Sequence, residues 1–136
     1  MFDKESLLKL KQCHPELQSL FSEVIKHRNC IITCGYRDKD DQEKAFAEGK
    51  TKLHYPNGNH NKLPSNAVDA YPAPINMNNL SLFYNFAGFV QGIAQQMLVN
   101  KQMNHAIRWG GNWDNNGKLN MPGQLNDLVH FELILE

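Results

Sequence analysis

At 136 residues the chain has the length of one domain, and a globule of that size hides roughly two thirds of the surface its unfolded chain exposes, enough for a true core. Apolar residues make up 41% and charged residues 21%, with 14 basic against 14 acidic side chains, which argues against disorder and leaves no field for gripping a polyanion. Nucleic acid is not an expected partner, and with no run of about 18 apolar residues, neither is insertion into a membrane.

The opening Met1-Phe2-Asp3-Lys4-Glu5 carries no apolar run of the kind a secretory signal needs, so export through a cleaved signal is not expected. A helical turn around Ser6 to Lys11 precedes a longer helix that starts at Pro15. There Leu17, Leu20, Phe21, Val24 and Ile25 form one apolar stripe, ending near Arg28-Asn29. Cys30-Ile31-Ile32-Thr33-Cys34-Gly35-Tyr36 is rich in strand formers. On a regular strand Cys30 and Cys34 face the same side yet sit too far apart for a disulfide, and with Cys13 they read as free thiols of a reducing compartment.

Acidic residues crowd the next helix start, Asp38 to Glu43, as the helix dipole favours, and that helix stops at Gly49. Arg37 thus stands where a strand ends and a helix begins, a place from which a side chain projects into a cleft. Lys50 to Pro64 is a polar loop whose Pro56-Asn57-Gly58-Asn59 turn chemistry leads into His60. Ala67-Val68-Asp69-Ala70-Tyr71 is a strand that Pro72 and Pro74 terminate, and a carboxylate in so apolar a run needs a cation for a partner.

Asn78 or Asn79 can cap a helix in which Phe83, Phe86, Ala87, Val90, Ala94, Met97 and Leu98 hold to one core-facing side. Ala106 to Trp109 is a short strand, followed by the turn-rich Gly110 to Gly117, which lacks the spaced carboxylates of a calcium loop. Leu128 to Leu135 alternates as a last strand carrying His130. Helices and short strands in mixed order predict one α+β domain over residues 1–136, a small, mostly antiparallel sheet with helices packed on it.

Most of the six histidines need no chemical role: His14 and His27 suit capping or exposure, and His54 and His105 lie outside the regular elements. His60, Asp69 and His130 together form a candidate three-ligand set for a zinc ion in a cleft at the sheet. Three protein ligands leave one position for water, as hydrolytic zinc sites require, with Asp127 left over as a base. On an extended chain residues three apart point in opposite directions, so Asp127 must lie on a bend to approach His130, and Gly123 and Asn126 supply one. There is no His-Glu-x-x-His helix, which excludes the helical zinc peptidase plan, and no Gly-x-Ser-x-Gly elbow, which leaves a serine hydrolase poorly supported.

At these residues the sequence resembles the zinc peptidases that cut peptidoglycan stem peptides, which include D-alanyl-D-alanine carboxypeptidases and dipeptidases and phage L-alanyl-D-glutamate endopeptidases. Of the signature Ser-x-His-x-x-Gly-x-Ala-x-Asp, His60, Ala67 and Asp69 answer to the first part, and Asp127 and His130 answer to the distant Asp-x-x-His. The likeness runs from Gly35-Tyr36-Arg37 with Gln42, through Trp109-Gly110-Gly111-Asn112-Trp113, to His130-Phe131-Glu132-Leu133. His60-Asn61, Pro64-Ser65 and Ala67-Val68-Asp69 bring it nearest the phage endolysin branch. It departs in a longer His-to-Asp interval, in lacking the family glycine, in Gly58 where serine is usual, and in Asn112 where this branch often has aspartate.

The resemblance implies zinc on His60, Asp69 and His130, Asp127 as the base, and Arg37 binding the oxyanion or a substrate carboxylate, with Gln42 supporting that loop. Trp109, Trp113 and Tyr71 are expected cleft walls. The implied substrate is bacterial peptidoglycan, cut between L-alanine and D-glutamate by a monomer. A phage lysis enzyme of this kind waits in the host cytoplasm until a holin opens the membrane to the wall. A carboxypeptidase removing terminal D-alanine and an inactive zinc-containing wall-binding module are the alternatives. The second is disfavoured because structural zinc usually has four protein ligands.

Overall fold

The computed structural model describes residues 1–121 and 124–135. Two short helices open the chain, α1 (Lys4–Leu10) and α2 (Pro15–Val24), followed by β1 (Cys30–Cys34) and α3 (Lys39–Ala47). A single 3-10 turn at Asn59–Asn61 interrupts the long loop before β2 (Ala67–Pro72); α4 (Leu80–Val99), β3 (Ile107–Trp109) and β4 (His130–Leu133) complete the order. The four strands form one sheet in the order β1-β2-β4-β3, and every neighbouring pair is antiparallel.

Local chemistry explains most boundaries. Asp3 caps α1 by accepting from the Ser6 amide at 2.7 Å, and the His14 ring caps α2 by accepting from the Glu16 amide at 3.0 Å, with Pro15 at its first position. Asp38 starts α3 by accepting from the Asp41 amide, and Gly49 leaves it with a positive φ of 76°, which glycine adopts without a Cβ clash. Helix α2 ends four residues earlier than the stripe suggested. After Ile25 no apolar side chain remains to bury, and the His27 amide turns back onto the Val24 carbonyl instead. At α4 the cap position is Asn79, without a side-chain capping bond.

The sheet divides the molecule. Val68 and Ala70 of β2 and Phe131 and Leu133 of β4 face the helices, where Leu17, Leu20 and Phe21 of α2 meet Phe86, Ala87 and Val90 of α4. Fully burying each large side chain contributes about 1.5–3 kcal/mol, so this layer carries much of the fold's stability. The alternation of a strand then sends Asp69 and Tyr71 of β2, and His130 and Glu132 of β4, to the opposite face.

Cys34 breaks the expected alternation. The register of β1 on β2 shifts between Ile32, which lies opposite Ala70, and Cys34, which lies opposite Asp69. This bulge turns Cys34 away from the side Cys30 faces and towards the polar face, so the two thiols do not share a side as a regular strand would require. The strand stops at Cys34 because the next amides leave the ladder: Tyr36 donates to the Gln12 side chain and Arg37 to the His60 carbonyl. Among the described residues, no helix is long and apolar enough to cross a membrane.

Candidate metal centre and active site

Sheet register builds the floor of the site. Asp69 pairs directly with His130 across β2 and β4, and with Cys34 across β1 and β2, so three side chains from three adjacent strands stand side by side on one face. His60 arrives above them from the 3-10 turn. That turn is tied down by the Arg37 amide on the His60 carbonyl at 2.7 Å and the Asn66 amide on the Asn59 carbonyl at 3.1 Å. Asp69 Oδ1 then lies 3.1 Å from His60 Nε2 and 3.3 Å from His130 Nδ1.

The far nitrogen of each ring fixes which nitrogen faces inward. His60 Nδ1 lies 2.7 Å from the Gly35 carbonyl oxygen, which can only accept, so Nδ1 carries the proton. His130 Nε2 donates in the same way to Glu132 Oε1 at 2.7 Å. In the neutral rings the nitrogens that face Asp69 hold lone pairs, and three acceptors then converge on one buried point. A proton or a metal ion must sit among them, which is how metal-binding histidines are usually oriented.

Electrostatics say the same. Burial disfavours charge on His60 and His130, but the Asp69 carboxylate overrides it, holding His60 well above its usual range and His130 at about 9. Against its own burial, Asp69 is driven well below the carboxylate range by the two rings. Asp127 moves the other way: burial first, then the Asp69 charge, push it up to about 6.

Among the described residues, two donor sets close to within 4.8 Å: Cys34, His60 and Asp69, and Asp69, Asp127 and His130. Asp69 belongs to both. The three ligands expected from the sequence therefore meet through Asp69, with the two imidazole rings edge-on at 5.1 Å between centroids. Cys34 Sγ lies 3.6 Å from His60 Nδ1, a donor that sequence reasoning set aside because only the bulge brings it here. The donor set of two imidazoles and one or two carboxylates suits a borderline ion such as zinc, while the Cys34 thiol stands beside the protonated Nδ1 of His60.

Asp127 lies on the expected bend. Its amide donates to the Gly110 carbonyl at 3.1 Å, its carbonyl accepts from the His130 amide at 3.2 Å, and its Oδ2 stands 3.9 Å from His130 Nδ1. Gly123, also invoked for that bend, lies outside the described residues. A Cβ on Gly110 would stand 2.1 Å from the Asp127 carbonyl oxygen, so this glycine is what lets the bend approach β3.

Arg37 closes the other side, with Nη2 3.7 Å from Asp69 Oδ2 and Nη1 donating to Gln42 Oε1 at 3.1 Å. Gln42, 1% exposed, also donates to the Leu53 carbonyl at 2.7 Å and accepts from Asn61 at 3.1 Å. Asn61 donates to the Arg37 carbonyl and accepts from the Gly58 amide at 2.9 Å. A Cβ on Gly58 would come within 2.8 Å of Asn61 Oδ1, which explains the glycine where serine is usual.

Two clefts meet at Arg37 and Asp127. One, of about 750 Å³, runs over Cys34, Tyr36, Asp69 and Tyr71; the other, of about 310 Å³, runs over His60, His130, Leu53 and Trp113. Trp113 stands 5.3 Å from the His130 ring and is held by its indole N–H on the Leu125 carbonyl. Trp109 is not a wall. It is 4% exposed, packs edge-on against Tyr84 and donates to the Leu128 carbonyl, because the β3–β4 register points it at the core beside Phe131. The remaining histidines are structural: His54 bonds Glu43 and stacks on Phe46, and His105 bonds Glu16 at 2.6 Å.

A family model described as phage L-alanyl-D-glutamate peptidase matches residues 1–134. The chain belongs to this family. The peptidase also resembles, in fold, a crystal structure of a Serratia marcescens L-Ala D-Glu endopeptidase, ChiX. The TM-score is 0.71 at 20% identity, over 98% of this chain and 90% of that one. No curated protein matches the peptidase in sequence. The residues that sequence reasoning missed, Cys34 and Glu132, are both placed by strand pairing; for Glu132 the available signal was its position two residues beyond His130 on an alternating strand.

Proposed function

We propose that the peptidase hydrolyses the amide between L-alanine and D-glutamate in peptidoglycan stem peptides, with zinc held by His60, Asp69 and His130. The observation that carries the reading is the pair of imidazoles turned by outward hydrogen bonds so that both inner nitrogens aim at buried Asp69, beside a carboxylate shifted to about 6. Bound there, a zinc ion would supply Lewis acidity, lowering the pKa of water towards 7 and polarising the carbonyl.

The chain's own residues do the rest. Asp127 removes a proton from the attacking water as the new carbon–oxygen bond forms at the alanyl carbonyl. It delivers that proton to the D-glutamyl nitrogen as the carbon–nitrogen bond breaks, so the carboxylate is regenerated. Arg37 offers the oxyanion or a nearby substrate carboxylate a guanidinium already fixed by Gln42, so little freedom is lost when it engages. Trp113 and Tyr71 flank the meeting point of the two clefts and supply walls for the peptide. In a phage setting the peptidase would wait in the host cytoplasm for a holin to open the way to the wall.

The test is digestion of defined stem peptides with end-group analysis. A new amino-terminal D-glutamate is expected; released D-alanine would make the peptidase a carboxypeptidase, and no cleavage would leave a binding module. Asp127→Ala should retain zinc while losing about 10²–10⁴ in rate. Loss of the metal with that substitution would make Asp127 a ligand and remove it as the base.

A further inference from the structure

Glu132 lies outside the set of residues that hold the metal or move a proton, yet it sits 8% exposed with each carboxylate oxygen engaged. Strand alternation places it two residues beyond His130 on the same face, and Oε1 accepts a hydrogen bond from His130 Nε2 at 2.7 Å. Arg108 is its partner directly across β3 and β4, and Arg108 Nη1 stands 3.4 Å from Oε2. The four side chains thus form one chain of contacts, Arg108 to Glu132 to His130 to Asp69, across three paired strands.

Two features mark this line as more than strand packing. A half-buried ion pair is a poor way to gain stability, since a well-packed apolar pair serves as well without the desolvation cost, and Arg108 Nε is buried without a hydrogen-bond partner among the described residues. The two imidazoles are also oriented by unlike acceptors: His60 leans on a neutral backbone carbonyl, His130 on a carboxylate. A carboxylate acceptor locks the ring against a flip that would put carbons where its nitrogens stand, and it makes the inward nitrogen more electron-rich.

We propose that Glu132 is a positioning residue for His130, anchored by Arg108, and that this pair sets how tightly the centre holds its metal. The proposal rests on the reading that His130 is a metal ligand. Its test uses the full chain, stripped of metal and titrated with zinc against a chromophoric chelator, with the His130 ring followed by nitrogen-15 NMR.

Glu132→Gln preserves shape and an acceptor oxygen but removes the charge, and zinc affinity should fall about 10- to 100-fold while circular dichroism is unchanged. Arg108→Gln should weaken zinc by about tenfold and Arg108→Lys should restore most of it, because only the charge on that side is needed. In the metal-free wild type the His130 Nε2 proton should appear as a strongly hydrogen-bonded, downfield signal that moves upfield in Glu132→Gln, where a neutral amide oxygen replaces the carboxylate. Equal zinc affinity in wild type and Glu132→Gln would overturn the proposal alone. A wild type that binds no zinc would overturn the reading beneath it. Should Glu132→Gln fail to fold, the two Arg108 variants decide: unchanged affinity in Arg108→Gln overturns the anchoring.

Discussion

Arg37 and Asp127 both stand close to Asp69, and their surroundings push them to opposite tasks. Arg37 is gripped by Gln42 through one nitrogen and approaches Asp69 with another, so a lysine in its place would keep the charge but lose the fork. Arg37→Lys is expected to cost about 10²–10³ in kcat on a defined muropeptide while zinc content stays unchanged. Asp127, raised to about 6, is a base only when deprotonated. Activity should therefore fall as pH drops through that region, with the limb displaced lower by a bound divalent cation. A kcat/KM profile between about pH 4 and 8 checks this, and Asp127→Asn should lose the limb together with most of the rate. Both residues were legible in the sequence because the family spacing marks them. Trp109 was misplaced because composition cannot tell which side of a short strand faces the core.

At the scale of elements, the site depends on close backbone approaches more than on the lengths of helices and strands. Gly110 is the tightest of these, with the Asp127 carbonyl where a methyl group would go. Gly110→Ala should shift the bend that presents Asp127, destabilising the fold by about 1–3 kcal/mol in urea denaturation and depressing activity even where the chain is fully folded. Gly88→Ala, on an open stretch of α4 where a Cβ meets nothing within 4 Å, is the control and should be neutral or stabilising by up to about 1 kcal/mol. The bulge after Ile32 acts in the same way on Cys34, bringing a thiol beside His60 that regular alternation would bury with Cys30. Helices α2, α3 and α4 were readable from stripes and caps. The bulge was not, since one extra residue in a strand leaves no mark in its composition.

For the whole molecule, the polar face of the sheet concentrates charge that the apolar face cannot compensate. In the metal-free chain His130 and His60 take up protons to satisfy Asp69, so both have folded pKa values above their unfolded ones. The stabilisation they give is present below the unfolded value of about 6.5 and is lost as pH rises through about 9 for His130. The melting temperature of the chelated chain should accordingly fall between those limits, whereas zinc-loaded protein should hold its stability over the same range. At a free zinc concentration 100 times its Kd, the gain is about 2.7 kcal/mol. A chelated chain whose melting temperature ignores both pH and added zinc would contradict the assignment of the centre.

The sequence by itself determined the class of fold, the helices and the candidate site residues, because apolar periodicity, capping residues and motif spacing are local properties of the chain. Tertiary structure alone decided that Asp69 stands opposite His130 and that Cys34 joins them. It likewise put Glu132 behind one imidazole and a backbone carbonyl behind the other. Those facts depend on strand order and register between segments up to about a hundred residues apart, and a pairing register is settled only when both faces of the sheet find their partners.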